Sequence, residues 1–181
     1  FFYNAGVQAV MYLATLFGTT ELQMETSALI LTVLIIQVVA IGGAYLFARI
    51  SENKSNVFSL STMIVIWVII CVAAFFVNSQ IQFFALAFVV GLVMGGIQSL
   101  SRSTYSKLIP KGTKDHASYF SFYDVTYNVS IVMGTLAFGL IEHFSGSMRN
   151  SALSLTVFFA IGFIVLRGVV VNSTKVENAI D

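Results

Sequence analysis

The stretch GGIQSLSRSTYSKLIP, Gly95 to Pro110, decides how the rest of the chain is read. It closes a long apolar run with one arginine in it and stops at a proline. Gly91, Gly95, Gln98, Arg102 and Tyr105 follow one another at spacings of four, three, four and three. At 100° per residue, all five fall within about 80° of one helix face. Two small residues four apart let another helix come close. An amide, a guanidinium and a phenol then continue the same seam. In an apolar chain such a row needs internal partners or a wet cavity.

Working outward, the chain is apolar almost everywhere. Of 181 residues, 57% are hydrophobic and only 9% charged, against about 25% charged in soluble domains. That composition is the mark of an integral membrane protein in a lipid bilayer, all-α in class. About 20 apolar residues cross the hydrocarbon as a helix. Spans are expected over about 1–18, 26–49, 57–77, 81–108, 117–143 and 150–170, followed by a polar tail over 171–181. Residues 55 to 101 carry no charge at all, and Asn78-Ser79-Gln80 divides that run into two spans. Asp115 is placed to cap the fifth helix, and Ser145-Gly146-Ser147 reads as a turn. Phe1 opens directly into helix-like sequence, so the chain is expected to begin inside a helix and to form half of a longer protein.

Six spans return both termini to one side. Arg49, Lys54, Arg102, Lys107, Lys111, Lys114, Arg167 and Lys175 lie at or toward that side, and Arg149 alone at the other. This bias predicts cytoplasmic termini. It also accounts for the basic loop at 107–114 without any nucleic acid.

The spans differ in kind. The third, and nearly the sixth, is apolar all round and is expected to face lipid over much of its circumference. Asn4, Gln8, Met11, Thr15 and Gly18 share a face of the first. The fifth has two stripes, Tyr119-Tyr123-Thr126-Ser130 and, nearly opposite, Ser121-Asp124-Asn128-Thr135. A helix polar on two sides is surrounded by protein or borders a cavity. The order polar, mixed, apolar, then polar, polar, apolar predicts two three-helix units. Spans one, four and five are expected to line a concave face, with spans three and six outside.

These residues carry a resemblance. The pattern of spans resembles the carboxy-terminal half, helices seven to twelve, of a major facilitator superfamily transporter. FFYNAGVQ, GGIQSLSRSTYSKLIP, SYFSFYDV and GSMRNS resemble its vacuole effluxer-like branch, which holds autophagy-related amino-acid effluxers and bacterial relatives. The resemblance implies half of a secondary active transporter moving a small polar solute, an amino acid among the candidates, in a bacterial inner membrane. Its partners would be the amino-terminal six-helix half or, in isolation, a second copy as a homodimer. ARISENKSN at 48–56 stands in place of the superfamily's loop motif in degenerate form. Ala5 and Tyr127-Asn128 stand where relatives are expected to carry acids and an acid–base pair, so a coupling scheme using those charges does not transfer.

The residues themselves nominate the site. Arg102 lies seven residues before Ile109 and Asp124 seven after Ala117, so antiparallel helices hold both roughly 10 Å from their ends. The pair reads either as a structural ion pair or as a gate or anion clamp near the cytoplasmic mouth. Asn4, Gln8 and Gln98 are candidates for hydrogen bonds to a solute, or for glue between helices. Tyr105, Tyr119 and Tyr123 are candidate cavity walls, or ordinary interfacial tyrosines. No catalytic set, cofactor motif or metal site is expected; His116 and His143 fall at opposite ends of one helix. The competing reading is a membrane scaffold that transports nothing, which would need no wet row.

Overall fold

The structure, a computed structural model, describes the backbone of residues 1–110 and 112–177 and the side chains through residue 168, Lys111 excepted. The described residues form six helices and no strand: α1 (Phe2–Thr20), α2 (Thr26–Asn53), α3 (Asn56–Phe76), α4 (Gln80–Leu108), α5 (His116–Ser145) and α6 (Met148–Glu177). The boundaries have local causes. Ser55 and Ser79 cap α3 and α4 by accepting from the backbone N–H of Phe58 and Gln82. Gly146 closes α5 in the left-handed conformation, φ 62°, which glycine adopts without cost. Asp115 occupies the cap position of α5, but its carboxylate accepts from Ser118 Oγ instead of a backbone amide. The sixth helix continues through polar sequence to Glu177; residues 178–181 of the expected tail lie outside the described residues.

Five helices, α2 to α6, are long and apolar enough to cross a membrane. The 19-residue α1 is not among them. It compensates by burial: Ala5 and Val7 are fully buried and Ala9 is 1% exposed. Of its polar stripe, Gln8 and Gly18 are buried and Asn4 and Met11 half-buried, while Thr15 is exposed.

Packing follows the expected pair of three-helix units. The first helix packs on α5 and α6; the fourth packs on α2 and α3; α3 packs on α6. Exchanging α1 with α4, α2 with α5 and α3 with α6 maps this network onto itself, as an internal repeat requires. Small residues set the closest approaches. A Cβ on Gly43 would collide with the Leu92 carbonyl, one on Gly95 with the Ala40 carbonyl, and one on Gly134 with the Ala5 carbonyl. The seam read from α4 therefore splits: Gly91 and Gly95 seat α2, and the turns beyond Leu100 face elsewhere.

One expectation is corrected. The third helix has an exposed side, with Val65, Ile69 and Phe76, but it also supplies much of the core. Leu60, Met63, Ile64 and Trp67 are 0–1% exposed, and Cys71 is 2% exposed. Trp67 stacks on Phe159 of α6, centroids 5.5 Å apart and planes 8° from parallel. Hydropathy alone does not separate a lipid-facing stripe from a protein-facing one, because both are apolar.

Candidate functional site

At the end of the bundle that carries the termini, α4 and α5 leave one another and meet through side chains. Between them, and bounded by the start of α1 and the last described turns of α6, lies a cavity of about 360 Å³. The two stripes of α5 explain its wall. Tyr123, Thr126 and Ser130 turn inward and line it, while Ser121, Asp124, Asn128 and Thr135 stay on the exposed side. The C-terminal turns of α4 add Ser101, Thr104 and Tyr105, and α1 adds Tyr3 and Asn4.

The floor is a set of hydrogen bonds between helices. Ser130 Oγ donates to the Tyr127 carbonyl at 2.6 Å and accepts from Asn4 Nδ2 at 2.5 Å. Gln8 Nε2 donates to the Tyr127 hydroxyl at 2.6 Å, with Gln8 only 8% exposed. Ser101 Oγ donates to the Ile97 carbonyl, which leaves its lone pairs to accept from the Tyr3 hydroxyl at 2.8 Å. Buried amides and hydroxyls in an apolar bundle stabilise only when so paired.

The rim is charged and aromatic. Arg102 Nη2 and Asp124 Oδ1 lie 2.5 Å apart, bridging α4 and α5. The Arg102 guanidinium sits 5.5 Å from the Tyr123 ring centroid. Tyr105 donates its hydroxyl to the Tyr119 carbonyl at 2.8 Å and lays its ring 5.0 Å from that of Tyr123. The Tyr123 ring in turn stacks toward Tyr127 at 6.4 Å. A ladder of phenols thus runs from the rim to the amide of Gln8.

The structure brings together most of the residues nominated from sequence. Arg102 and Asp124 meet, as the shared depth required. Their side chains are 59% and 54% exposed on this six-helix bundle. Tyr105 and Tyr123 line the cavity and Asn4 reaches it; Tyr119 contributes its carbonyl. Gln8 is turned into the interface between α1 and α5. Gln98 is half-buried, stands off the cavity and makes no side-chain hydrogen bond among the described residues. Tyr3, Ser101 and Thr104, which line the cavity, were missed, and so were Tyr127 and Arg149. Tyr127 is in register with Tyr119 and Tyr123 at four-residue steps, which was the available signal. Arg149, at the other end, appeared only as an exception to the charge bias. Among the described residues no three His, Cys, Asp or Glu side chains gather closely enough to hold a metal.

An all-helical membrane bundle built as two exchanged three-helix units, with a polar and aromatic cavity at one end, has the architecture of a major facilitator half. The chain belongs to the vacuole effluxer family: residues 1–179 match the family described as "Vacuole effluxer Atg22 like". It is 33% identical over 167 residues to the "Uncharacterized MFS-type transporter YxiO" of Bacillus subtilis (strain 168), covering 92% of this chain and 38% of that one. It is 27% identical over 188 residues to "Autophagy-related protein 22" of Eremothecium gossypii, covering 98% of this chain and 37% of that one. For the protein of that name in Saccharomyces cerevisiae (strain ATCC 204508 / S288c) the figures are 28% over 162 residues, 83% and 30%. The chain therefore spans well under half the length of these relatives. No solved structure matches it.

Proposed function

We propose that this chain is the carboxy-terminal six-helix half of a secondary transporter for a small polar solute, an amino acid among the candidates. The observation that carries the reading is the cavity of about 360 Å³ with the Arg102–Asp124 bridge at its mouth. Tyr105 and Tyr123 form aromatic walls, and Asn4, Ser101, Thr104 and Thr126 supply donors and acceptors for a solute. Gln8 acts at second hand, by fixing the Tyr127 hydroxyl. Breaking the Arg102–Asp124 and Tyr105–Tyr119 bridges would free α5 from α4 at the mouth, so both belong to the gate.

The charge bias supports cytoplasmic termini, which places the mouth on the cytoplasmic side of a bacterial inner membrane. The amino-terminal six-helix half is the natural second wall; a homodimer is the expected substitute when this half is alone. The test is uptake by the full-length protein in proteoliposomes, with single cysteines at Asn4, Tyr105 and Tyr123 after Cys71→Ala. Solute-protected labelling at all three is expected. Free labelling that no transported solute changes would favour the scaffold reading.

A further inference from the structure

At the end of the bundle opposite the termini, one side chain bridges three helices. Arg149, in the first turn of α6, points its guanidinium in two directions. Nε donates to Glu21 Oε2 at 3.1 Å, and Nη1 donates to the Phe75 carbonyl at 2.7 Å. Its Cζ also lies 5.6 Å from the ring centroid of Phe17. Glu21 caps the end of α1, Phe17 is in its last turns, and Phe75 is in the last turn of α3. One cation thus joins the ends of α1 and α3 to the start of α6.

Its position makes no sense as helix chemistry alone. A cation in the first turn of a helix opposes the macrodipole. Among the described lysines and arginines it is the one at this end. What offsets this is the pairing: the Arg149 and Glu21 side chains are 22% and 29% exposed, against 59% and 54% for the Arg102–Asp124 pair. The Phe75 carbonyl is one of the orphan acceptors that a helix C-terminus leaves unpaired.

Near this node lies a second cavity, small and apolar, of about 40 Å³. Phe17 lines it, as do Ile70, Cys71 and Ala74 of α3 and Ala152 of α6. The clamp therefore ties the ends of three of the helices that wall the cavity; α2 and α4 supply the rest of it, with Phe83 stacked on Phe17.

We propose that Arg149 is a clamp that holds this end of the bundle shut over the cavity around Cys71, so that α1, α3 and α6 part there when its bonds are lost. The inference is independent of any transported solute. Cys71 is the single cysteine of the chain and is buried, so its labelling rate reports the opening. Labelling of a buried thiol proceeds through local opening, and each charge-assisted bond removed raises the open population roughly tenfold.

The experiment follows Cys71 alkylation by N-ethylmaleimide in the detergent-solubilised chain. Emission from Trp67, the one tryptophan, monitors the fold. The expected order is wild type slowest, then Glu21→Gln, then Arg149→Lys, then Arg149→Met. Lysine keeps the charge but reaches only one of the two acceptors. Glu21→Gln should label several-fold faster than wild type with unchanged Trp67 emission. Arg149→Met should label roughly a hundredfold faster, having lost both bonds. Equal rates in Glu21→Gln, Arg149→Lys and wild type, with native emission, would overturn the proposal. If Arg149→Met does not fold, the two milder variants decide the matter in the same way.

Discussion

Tyr127 carries two jobs in one residue: its carbonyl holds Ser130, and its hydroxyl takes the amide of Gln8. Tyr127→Phe removes only the second and leaves the Gln8 N–H buried without a partner. The cost is expected at about 1 kcal/mol, since hydrogen bonds between membrane helices average about 0.6 and reach about 1.7 kcal/mol. Adding Gln8→Leu removes the orphaned donor, so the double variant should melt closer to wild type than Tyr127→Phe does. Additive losses in thermal melts would show that the two residues do not cooperate. The Arg102–Asp124 pair should behave in the opposite manner. The gate reading sets the pair in water at the mouth, where an ion pair contributes little to folding. Arg102→Gln and Asp124→Asn are expected to leave the melting temperature nearly unchanged and to abolish transport by the full-length protein. A large fall in melting temperature with transport intact would show the pair to be structural. Trp67 offers a third contrast. Its indole N–H is buried and unpartnered among the described residues, so Trp67→Phe loses no bond. Trp67→Ala, by contrast, empties a site stacked on Phe159 and should cost about 3–5 kcal/mol, read as a fall in melting temperature or as failure to fold.

At the scale of elements, glycines decide which helices are neighbours. Gly95 and Gly43 sit against carbonyls across the α2–α4 contact, where a side chain has no room. Gly42 and Gly139 have open space around the position of a Cβ. Gly95→Val should therefore destabilise by several kcal/mol or prevent assembly, overpacking costing about 1–3 kcal/mol even where neighbours can give. Gly42→Ala should be neutral or slightly stabilising in the same melts. The sequence made the small residues of α4 conspicuous but not their partner, because α2 is not adjacent in the chain. The ion pair was legible for the complementary reason: α4 and α5 are consecutive, so counting residues from the turn fixed a common depth. The core face of α3 was not legible at all. Leu60, Met63 and Trp67 look no different in composition from the lipid-facing Val65 and Ile69. Only packing distinguishes them.

Across the whole molecule, the six elements and their two-unit arrangement were readable from uncharged windows and polar stripes, because the bilayer sets span length. Which polar residues face a solute and which face another helix was not readable. Gln8 and Gln98 share a residue type and a helical seam signature, yet one is bonded across α1 and α5 and the other is not. The Arg149 node was invisible for the same reason: three chain segments far apart in sequence converge on it. One consequence follows from the α3–α6 stack. The exchange that relates the two three-helix units maps that contact onto itself, so Trp67 and Phe159 lie near the axis of that exchange. A fluorophore on a pivot is blind to rotation about it. On the proposed transport reading, with any other tryptophan of the full-length protein replaced, Trp67 should keep one emission maximum through the cycle and change only when the bundle comes apart, whereas a dye at position 102 would change with each turn of the proposed gate.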